Sequence, residues 1–326
     1  MAPPTLARFA PYAIFAFGLL ALDVTVPRYA RSHFIPEQMM HSLGAARPEV
    51  VLIGNSLLAA GYRNGVRTRS RPSVFNAAIG ATTPLENFVT LRRVLAQTEP
   101  KTVVYGWYST QLVDDAVKID DIQGNRLVSV LWANTSDLSF FFPRPQEQPI
   151  DVARFLLMKH VPLAAYAPLV QGRLEISRRG LAADKNAASA NPFGADADFR
   201  RMADASWNDI DSRLEKRRTG STFSFSRFVV AMRDNAHSRG AKIVWVAMPL
   251  ASRARATASA SATYQSYVEA AHRELASAPG DRFLDASELA GIDDGSFADG
   301  LHLNERGARV FTQWLDDQLA PPDDSK

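Results

Sequence analysis

Two short segments near opposite ends of the chain contain residue types that could activate a nucleophile. Ser56 follows Gly54 and Asn55 directly after an apolar run, and His302 lies three residues after Asp299. A serine hydroxyl becomes an effective nucleophile when a base removes its proton, and a histidine oriented by a carboxylate does this well. A tight turn can bring the Asp299 carboxylate to the His302 imidazole across that spacing. The residues therefore predict acyl-transfer or ester-hydrolysis chemistry.

Each segment also has a purely structural interpretation. Ser56 could cap a helix by accepting hydrogen bonds from its first amides, and Asp299 could cap another helix beside a surface His302. Only the presence of both segments in one α/β pattern favours the catalytic interpretation. His160, His237 and His272 lie on predicted helices without partners at metal-ligand spacing, so we expect no metal site.

Composition excludes several other classes of chemistry. The 326 residues include no cysteine, which rules out disulfides and thiol catalysis, and the net charge of +3 is small. We expect no nucleic-acid binding, because no stripe of basic and aromatic residues is present. No phosphate-binding loop or dinucleotide fingerprint occurs either, and we expect no cofactor.

Apolar runs of strand length alternate with amphipathic stretches and predict the elements that position these residues. Five strands are predicted at residues 49–53, 73–77, 102–105, 242–247 and 282–284. One main helix is predicted to begin at Thr83, and three others are predicted at residues 225–238, 263–276 and 304–319. This alternation predicts a three-layer α/β/α domain with a mostly parallel five-stranded sheet. Ligands bind beyond the carboxyl ends of such strands, where Ser56 follows the first one.

The remaining segments are predicted to be additions to this core domain, which we place at residues 45–320. Residues 111–220 are less regular and predict a helical insertion, with a loop at residues 140–145, helices at 151–160 and 196–216, and an exposed linker at 182–198. Residues 321–326 are predicted to be a disordered tail.

The first 30 residues predict a membrane anchor. Residues 9–22 contain no charge, which is short for a spanning helix of about 20 apolar residues. We favour an uncleaved single-pass anchor in the inner membrane, with the catalytic domain on the extracytoplasmic side. A cleaved signal peptide and a buried N-terminal helix of a soluble protein are the alternatives.

The residues quoted above resemble those of the SGNH (GDSL-like) hydrolase superfamily over residues 49–108 and about 225–319. The first family block appears as Gly54-Asn55-Ser56, with Asn55 in place of the usual aspartate, and the last appears as Asp299-Gly300-Leu301-His302. The resemblance implies a flavodoxin-like sheet, with Ser56 as the nucleophile, His302 as the base and Asp299 as the carboxylate that orients it.

The two middle blocks of the family, which supply the oxyanion donors, are altered in this chain. The second block has its glycine one position early, at Gly80, so the resemblance implies an oxyanion donor at Gly80 or Ala81. The third block lacks the usual asparagine and offers Ser109, Thr110 or Gln111 instead. We include Asn55, Gly80, Ala81 and Ser109 in the predicted oxyanion and substrate-binding set.

The resemblance implies a membrane-anchored esterase or O-acyltransferase. Its substrates would be acyl esters, in particular acetyl esters, of cell-envelope carbohydrate, and a membrane-bound acyltransferase would be its partner. Because the middle blocks are altered, a catalytically weak scaffold or binding subunit of an envelope polysaccharide-modification assembly is the alternative. A soluble lipase-like enzyme is a third hypothesis.

Overall fold

The computed structural model describes residues 4–33, 35–63, 72–115, 117, 128–161, 163–166 and 210–320. The predicted disordered tail and the predicted linker at 182–198 lie outside these residues, as does most of the predicted helix at 196–216. The chain divides into two compact units, one formed by Met1–Met39 with Val117–Ala183 and the other by Met40–Ala116 with Asp184–Lys326. The predicted catalytic residues all belong to the second unit.

The second unit is built on a parallel five-stranded sheet. Its strands are β1 (Val50–Gly54), β2 (Val74–Asn76), β3 (Thr102–Trp107), β6 (Lys242–Ala247) and β7 (Arg282–Asp285), in the spatial order β2-β1-β3-β6-β7. All four strand pairs are parallel. The prediction of an α/β fold with a parallel central sheet is confirmed.

Helices lie on both faces of this sheet. The helices with residues in this unit are α2 (Ile35–Ala46), α3 (Ser56–Gly61), α4 (Pro84–Leu95), α8 (Ile210–Glu215), α9 (Arg227–Ser238), α10 (Ser252–Ala260), α11 (Ala262–Leu275) and α12 (Glu305–Leu319). On one face, α3 and α12 pack against Leu52, Val104 and Val246. On the other, Tyr105 of β3 contacts Trp245 of β6 edge-to-face, with ring centroids 5.5 Å apart. Burial on both faces explains why the three central strands, β1, β3 and β6, are rich in consecutive apolar residues.

Local sequence signals determine where several of these helices begin. Thr83 and Glu86 form the predicted capping box of α4, with Pro84 at the first helical position, and the Thr83 N–H donates to Glu86 at 2.8 Å. Ser226 caps α9, and its Oγ accepts from the Phe228 N–H at 3.3 Å. A short antiparallel hairpin, β4 (Arg218–Thr219) with β5 (Thr222–Phe223), was not predicted.

The first unit is helical. It contains α1 (Pro4–His33), α5 (Val128–Trp132), α6 (Leu138–Phe141) and α7 (Pro149–His160). Phe141 and Phe142 pack edge-to-face against Phe155 of α7, at ring-centroid distances of 5.6 and 6.0 Å. The prediction of a loop over residues 140–145 is therefore wrong at its start, where α6 includes Phe140 and Phe141.

The structure does not support the predicted membrane-spanning anchor. Within the described residues, no helix is both long and apolar enough to cross a membrane. Although α1 has 30 residues, its uncharged stretch at residues 9–22 ends at Asp23. The Asp23 carboxylate accepts a hydrogen bond from the Leu163 N–H at 2.9 Å, which ties the helix to its own unit. The alternative of a buried N-terminal helix fails as well, because Tyr12, Phe15 and Phe17 are exposed.

Candidate active site

Ser56 lies at the sharp corner between β1 and α3. A side chain at Gly54 would approach the Gly106 carbonyl oxygen to 3.0 Å and Leu58 to 3.2 Å, so only glycine lets β1 turn so closely beneath α3. Asn55 caps α3, and its Oδ1 accepts from the Leu57 N–H at 2.9 Å. Ser56 is then the first residue of the helix. The corner holds the Ser56 hydroxyl at the carboxyl end of the sheet.

Asp299 and His302 lie in a loop that is closed just before α12. Phe297 forms an antiparallel bridge with Leu303, and the Ala298 N–H donates to the His302 carbonyl at 2.7 Å. The loop ends at Asn304, whose Oδ1 accepts from the Gly307 N–H at 3.1 Å and caps α12. These bonds close the six-residue turn that presents the imidazole.

A continuous chain of hydrogen bonds joins the three predicted catalytic side chains. His302 Nδ1 is 2.8 Å from Asp299 Oδ2, and His302 Nε2 is 2.9 Å from Ser56 Oγ. An ionised carboxylate only accepts, so the proton of a neutral imidazole resides on Nδ1 and Nε2 accepts from the serine hydroxyl. His302 is 8% exposed. The arrangement has the geometry required for general-base activation of Ser56.

Asp299 is held in its ionised form. Burial alone would raise its pKa, but hydrogen bonds from the His302 side chain and from the backbone N–H groups of His302 and Leu301 outweigh burial, so the pKa of Asp299 lies below its ordinary value. The two backbone bonds reach Asp299 Oδ1 at 2.7 and 2.8 Å. One carboxylate oxygen thus fixes the loop while the other holds the imidazole.

The segment after β2 places Gly80 beside the serine. A Cβ atom built on Gly80 would contact Ser56 Cβ at 3.8 Å. The Ile79 N–H donates to the Gly54 carbonyl at 3.0 Å, which fixes this segment against the end of β1. Ala81 has a positive φ of 61°, a left-handed conformation that costs a non-glycine residue about 1–2 kcal/mol. Within the described residues, the N–H groups of Gly80 and Ala81 make no hydrogen bond.

Ser109 lies in a second strained turn, at the end of β3. Gly54 and Gly106 are register partners, so the residues that follow them emerge side by side at the same edge of the sheet. Ser109 has a φ of 54°. Gln111 Oε1 accepts from the Tyr108 N–H at 3.0 Å, so part of its amide is used to close this turn. Ser109 makes no hydrogen bond to Ser56 or His302 within the described part of the chain.

Sequence reasoning missed the residues that hold these loops in place. Asp115 Oδ1 accepts from Ser226 Oγ at 2.8 Å and from the Arg227 N–H at 3.0 Å, which attaches the loop after β3 to the start of α9. Tyr62 donates to Asp316 at 2.8 Å and joins the end of α3 to α12. Polar side chains next to the ends of helices and strands are visible in the sequence. Their hydrogen-bonding partners could not be predicted, because these lie more than 100 residues away along the chain.

No group of three histidine, aspartate or glutamate side chains in the described segments is arranged to hold a metal ion. His237, one of the three histidines predicted to be structural or on the surface, pairs through Nε2 with Asp281 at 2.9 Å. That carboxylate also accepts from the Ile243 N–H at 2.9 Å, so the pair ties α9 to the start of β6.

Comparison with known proteins finds similarity to solved structures alone. No protein-family model matches the chain, and no curated protein matches it. Among solved structures, a provisionally assigned platelet activating factor from Streptococcus pneumonia is similar over 95% of this chain and 98% of its own, with 13% sequence identity and a TM-score of 0.39.

Proposed function

We propose that this protein is a serine hydrolase or O-acyltransferase of the SGNH type, which forms an acyl-enzyme on Ser56. The observation that carries the proposal is the hydrogen-bond chain from Ser56 through His302 to Asp299. If Ser56 were only a helix cap, the structure would not need a half-buried carboxylate, that of Asp299, on the other side of His302. We propose acetyl esters of cell-envelope carbohydrate as the substrate class, on the resemblance of the sequence blocks.

The first half of the proposed reaction transfers the acyl group to the enzyme. Ser56 Oγ attacks the ester carbonyl carbon while His302 Nε2 takes the hydroxyl proton, and Asp299 stabilises the imidazolium that forms. The N–H groups of Ser56 and Gly80 donate to the developing oxyanion. Collapse of the tetrahedral intermediate expels the alcohol, which receives the proton from His302, and leaves the acyl group on Ser56.

The second half decides between hydrolase and transferase. His302 removes a proton from an acceptor hydroxyl, which attacks the acyl-enzyme and releases Ser56 with its proton restored. If the acceptor is water, the product is a carboxylic acid, and if it is a sugar hydroxyl, the product is a new ester. Acetyl-enzyme incubated with a sugar acceptor in water should therefore partition between acetate and acetylated sugar, and the ratio measured by mass spectrometry identifies the activity.

Steady-state kinetics with para-nitrophenyl acetate test the proposal. Ser56→Ala and His302→Ala should each lower kcat/KM by roughly 10³-fold or more, because each removes a group that acts in the transition state. Ser277→Ala is the matched control, since Ser277 is an exposed serine just after α11 whose Oγ donates to the Glu274 carbonyl at 3.2 Å. Equal turnover by wild type and Ser56→Ala would refute the assignment.

The third block favours a second candidate function, a carbohydrate-binding scaffold with little turnover. This block lacks an asparagine donor, and Gln111, the only side-chain amide in its place, is partly occupied by the Tyr108 N–H. A scaffold would bind envelope glycans with equal affinity before and after Ser56→Ala and would release no acetate from any acetylated glycan. Acetate release that depends on Ser56 would exclude this function.

We also propose that α1 lies against lipid at the extracytoplasmic side of the cell envelope and so brings the enzyme to its substrates. Phe15, Phe17 and Leu20 are 68%, 75% and 62% exposed, and large exposed apolar side chains close together along one helix are typical of a surface that another apolar phase covers. A membrane-bound acyltransferase beside this helix would supply the acyl group in the transferase case.

A further inference from the structure

A polar cavity lies at the same edge of the sheet as Ser56, two to three strands further along. Its volume is about 380 Å³, and it is lined by the ends of β6 and β7 and by residues of α10 and α11. We call it the side cavity, and its principal residues are Ala247, Arg255, Tyr264, Gln265, Asp285 and Glu288. It shares no residue with the predicted catalytic set.

The side cavity contains hydrogen-bonding groups that the fold does not use. The side chains of Arg255 and Glu288 make no hydrogen bond or ion pair within the described residues, although the charge of Arg255 helps to lower the pKa of the nearby Asp294. Asp285 uses Oδ1 to accept from the Ser287 N–H at 2.8 Å. Gln265 donates its amide N–H to the Ala258 carbonyl at 3.1 Å, and its Oε1 accepts no hydrogen bond from the described residues. One cationic donor thus faces the same cavity as several acceptors.

The remaining lining is apolar. Ala247 and Tyr264 are each 6% exposed and form part of the wall. Binding sites for small ligands combine an apolar wall with a few polar groups that fix orientation. Donors and acceptors of mixed sign beside an apolar wall suit a neutral, hydroxyl-rich ring, since such a ring offers both O–H groups and C–H surfaces. A simple anion would meet repulsion from Asp285 and Glu288.

The distance between the side cavity and Ser56 decides whether one sugar ring could reach both places. Trp107, Ala247 and Asp285 are successive register partners across β3, β6 and β7, and β1 lies on the other side of β3. Adjacent strands are about 4.8 Å apart, so the end of β7 is roughly 14 Å from the end of β1. That span exceeds one sugar ring. A ligand that occupies both places must be an oligosaccharide.

We propose that the side cavity is a saccharide-binding subsite, which holds an unreacted sugar ring of an oligosaccharide whose acyl ester lies at Ser56. The link to the ester rests on the proposed function, whereas the binding of a sugar by the cavity does not. Arg255 and Glu288 would contact ring hydroxyls, and the wall around Tyr264 would contact C–H groups. The cavity would thereby favour polymeric over small esters.

Direct binding tests the cavity without relying on turnover. The Ser56→Ala protein is titrated with xylotetraose, cellotetraose and chitotetraose, and binding is followed by NMR. We expect at least one to bind, and Arg255→Ala and Glu288→Ala in that background to weaken its binding about tenfold or more. Glu269→Ala is the control, because Glu269 is an exposed acid of α11 outside the cavity. No binding by any tetrasaccharide, or binding that both cavity variants leave unchanged, would overturn the proposal.

Kinetics of the otherwise wild-type enzyme separate this proposal from the proposed function. Arg255→Ala and Glu288→Ala should lower kcat/KM about tenfold for acetylated tetrasaccharides and leave para-nitrophenyl acetate hydrolysis unchanged. Equal losses on both substrates, in variants whose circular dichroism matches wild type, would show that these side chains do not serve a separate subsite and would overturn the proposal. If neither ester is hydrolysed but tetrasaccharide binding still depends on Arg255 and Glu288, the proposed function fails and the saccharide site stands.

Discussion

At the scale of single residues, Asp299 combines two tasks that a substitution can separate. Asp299→Asn keeps an oxygen that can accept from the loop backbone but removes the charge that stabilises the imidazolium. We therefore expect kcat to fall on the order of 10³–10⁴-fold while the protein remains folded. Stopped-flow or steady-state hydrolysis of para-nitrophenyl acetate, with circular dichroism of the same samples, measures both effects. Glu269→Gln is the control for loss of a negative charge, and an Asn variant with wild-type kcat would contradict the role of Asp299.

The lowered pKa of Asp299 makes a prediction about stability. Because the folded-state pKa is below the unfolded value of about 3.9, the charged form stabilises the fold above that value, and the contribution is lost as pH falls through the folded pKa. The difference in unfolding free energy between wild type and Asp299→Asn should be constant from about pH 5 to 8 and should shrink below about pH 4. Urea unfolding at each pH measures it. A difference that stays constant down to pH 3 would show that Asp299 is not held ionised.

Ser109 offers a test of the altered third block. If its hydroxyl donates to the oxyanion, Ser109→Ala and Ser109→Gly should both lower kcat on the order of 10²-fold with little change in KM. Ser109→Gly should in addition raise stability by about 1 kcal/mol, because glycine adopts the φ of 54° without strain. If Ser109→Ala keeps the wild-type kcat, the Ser109 hydroxyl does not donate to the oxyanion, and only backbone N–H groups stabilise it.

The residue types pointed to the candidate catalytic residues but could not predict their geometry. Asp-x-x-His before a helix and Gly-x-Ser after a strand are local signals, and they named Asp299, His302 and Ser56. The left-handed conformations of Ala81 and Ser109 carry no such signal, because neither residue type favours a positive φ. Those turns are imposed by the neighbouring strands and helices.

At the scale of elements, the close contact between α12 and the loop that carries His302 can be broken at one glycine. A Cβ atom at Gly307 would lie 2.3 Å from the Ser296 carbonyl oxygen, so Gly307→Ala must push the helix away from the loop. We expect a destabilisation of about 1–3 kcal/mol and a loss of kcat, because the loop also holds the imidazole.

Gly44 in α2 is the matched control for Gly307. A Cβ atom at Gly44 meets nothing within 4 Å, so Gly44→Ala should leave activity unchanged and raise stability by up to about 1 kcal/mol. Thermal unfolding of the two variants compares them. Equal stability of both variants would show that the packing of α12 against the loop is looser than described.

The elements that sequence analysis predicted well are those with strong local patterns. Residues 242–247 form β6 with the predicted bounds, and α12 begins at Glu305, one residue after its predicted start at Asn304, which caps the helix. The hairpin of β4 and β5 was missed because each strand has only two residues, too few for an alternation to be recognised. At Phe140 and Phe141, a nearby proline suggested a loop, whereas packing on α7 stabilises a short helix.

At the scale of the whole molecule, the exposed apolar side chains of α1 allow a test of the proposed contact with lipid. If α1 lies against lipid, the protein should sediment with phosphatidylglycerol–phosphatidylethanolamine vesicles, and the triple variant Phe15→Ser, Phe17→Ser, Leu20→Ser should remain in the supernatant. Hydrolysis of para-nitrophenyl acetate should be the same in both proteins. Equal sedimentation of both proteins would show that these side chains do not contact lipid.

Features that join distant parts of the chain lay beyond sequence analysis. The side cavity combines Arg255 from α10, Gln265 from α11 and Asp285 from β7, and nothing in the spacing of these residues predicts that they face one another. Asp285 directly follows the strand predicted at residues 282–284, and polar residues at the carboxyl edge of a parallel sheet are candidate ligand contacts. Only the sheet order β3-β6-β7 shows that they share an edge with Ser56.

The central claim is that Ser56 is the nucleophile activated by His302, and labelling with a fluorophosphonate probe tests it most directly. Tryptic mapping by mass spectrometry should find one adduct, on Ser56, in wild type and in Ser277→Ala. His302→Ala should react far more slowly, and Ser56→Ala should not react. Equal labelling of Ser56→Ala and wild type, or an adduct on another serine, would contradict the account.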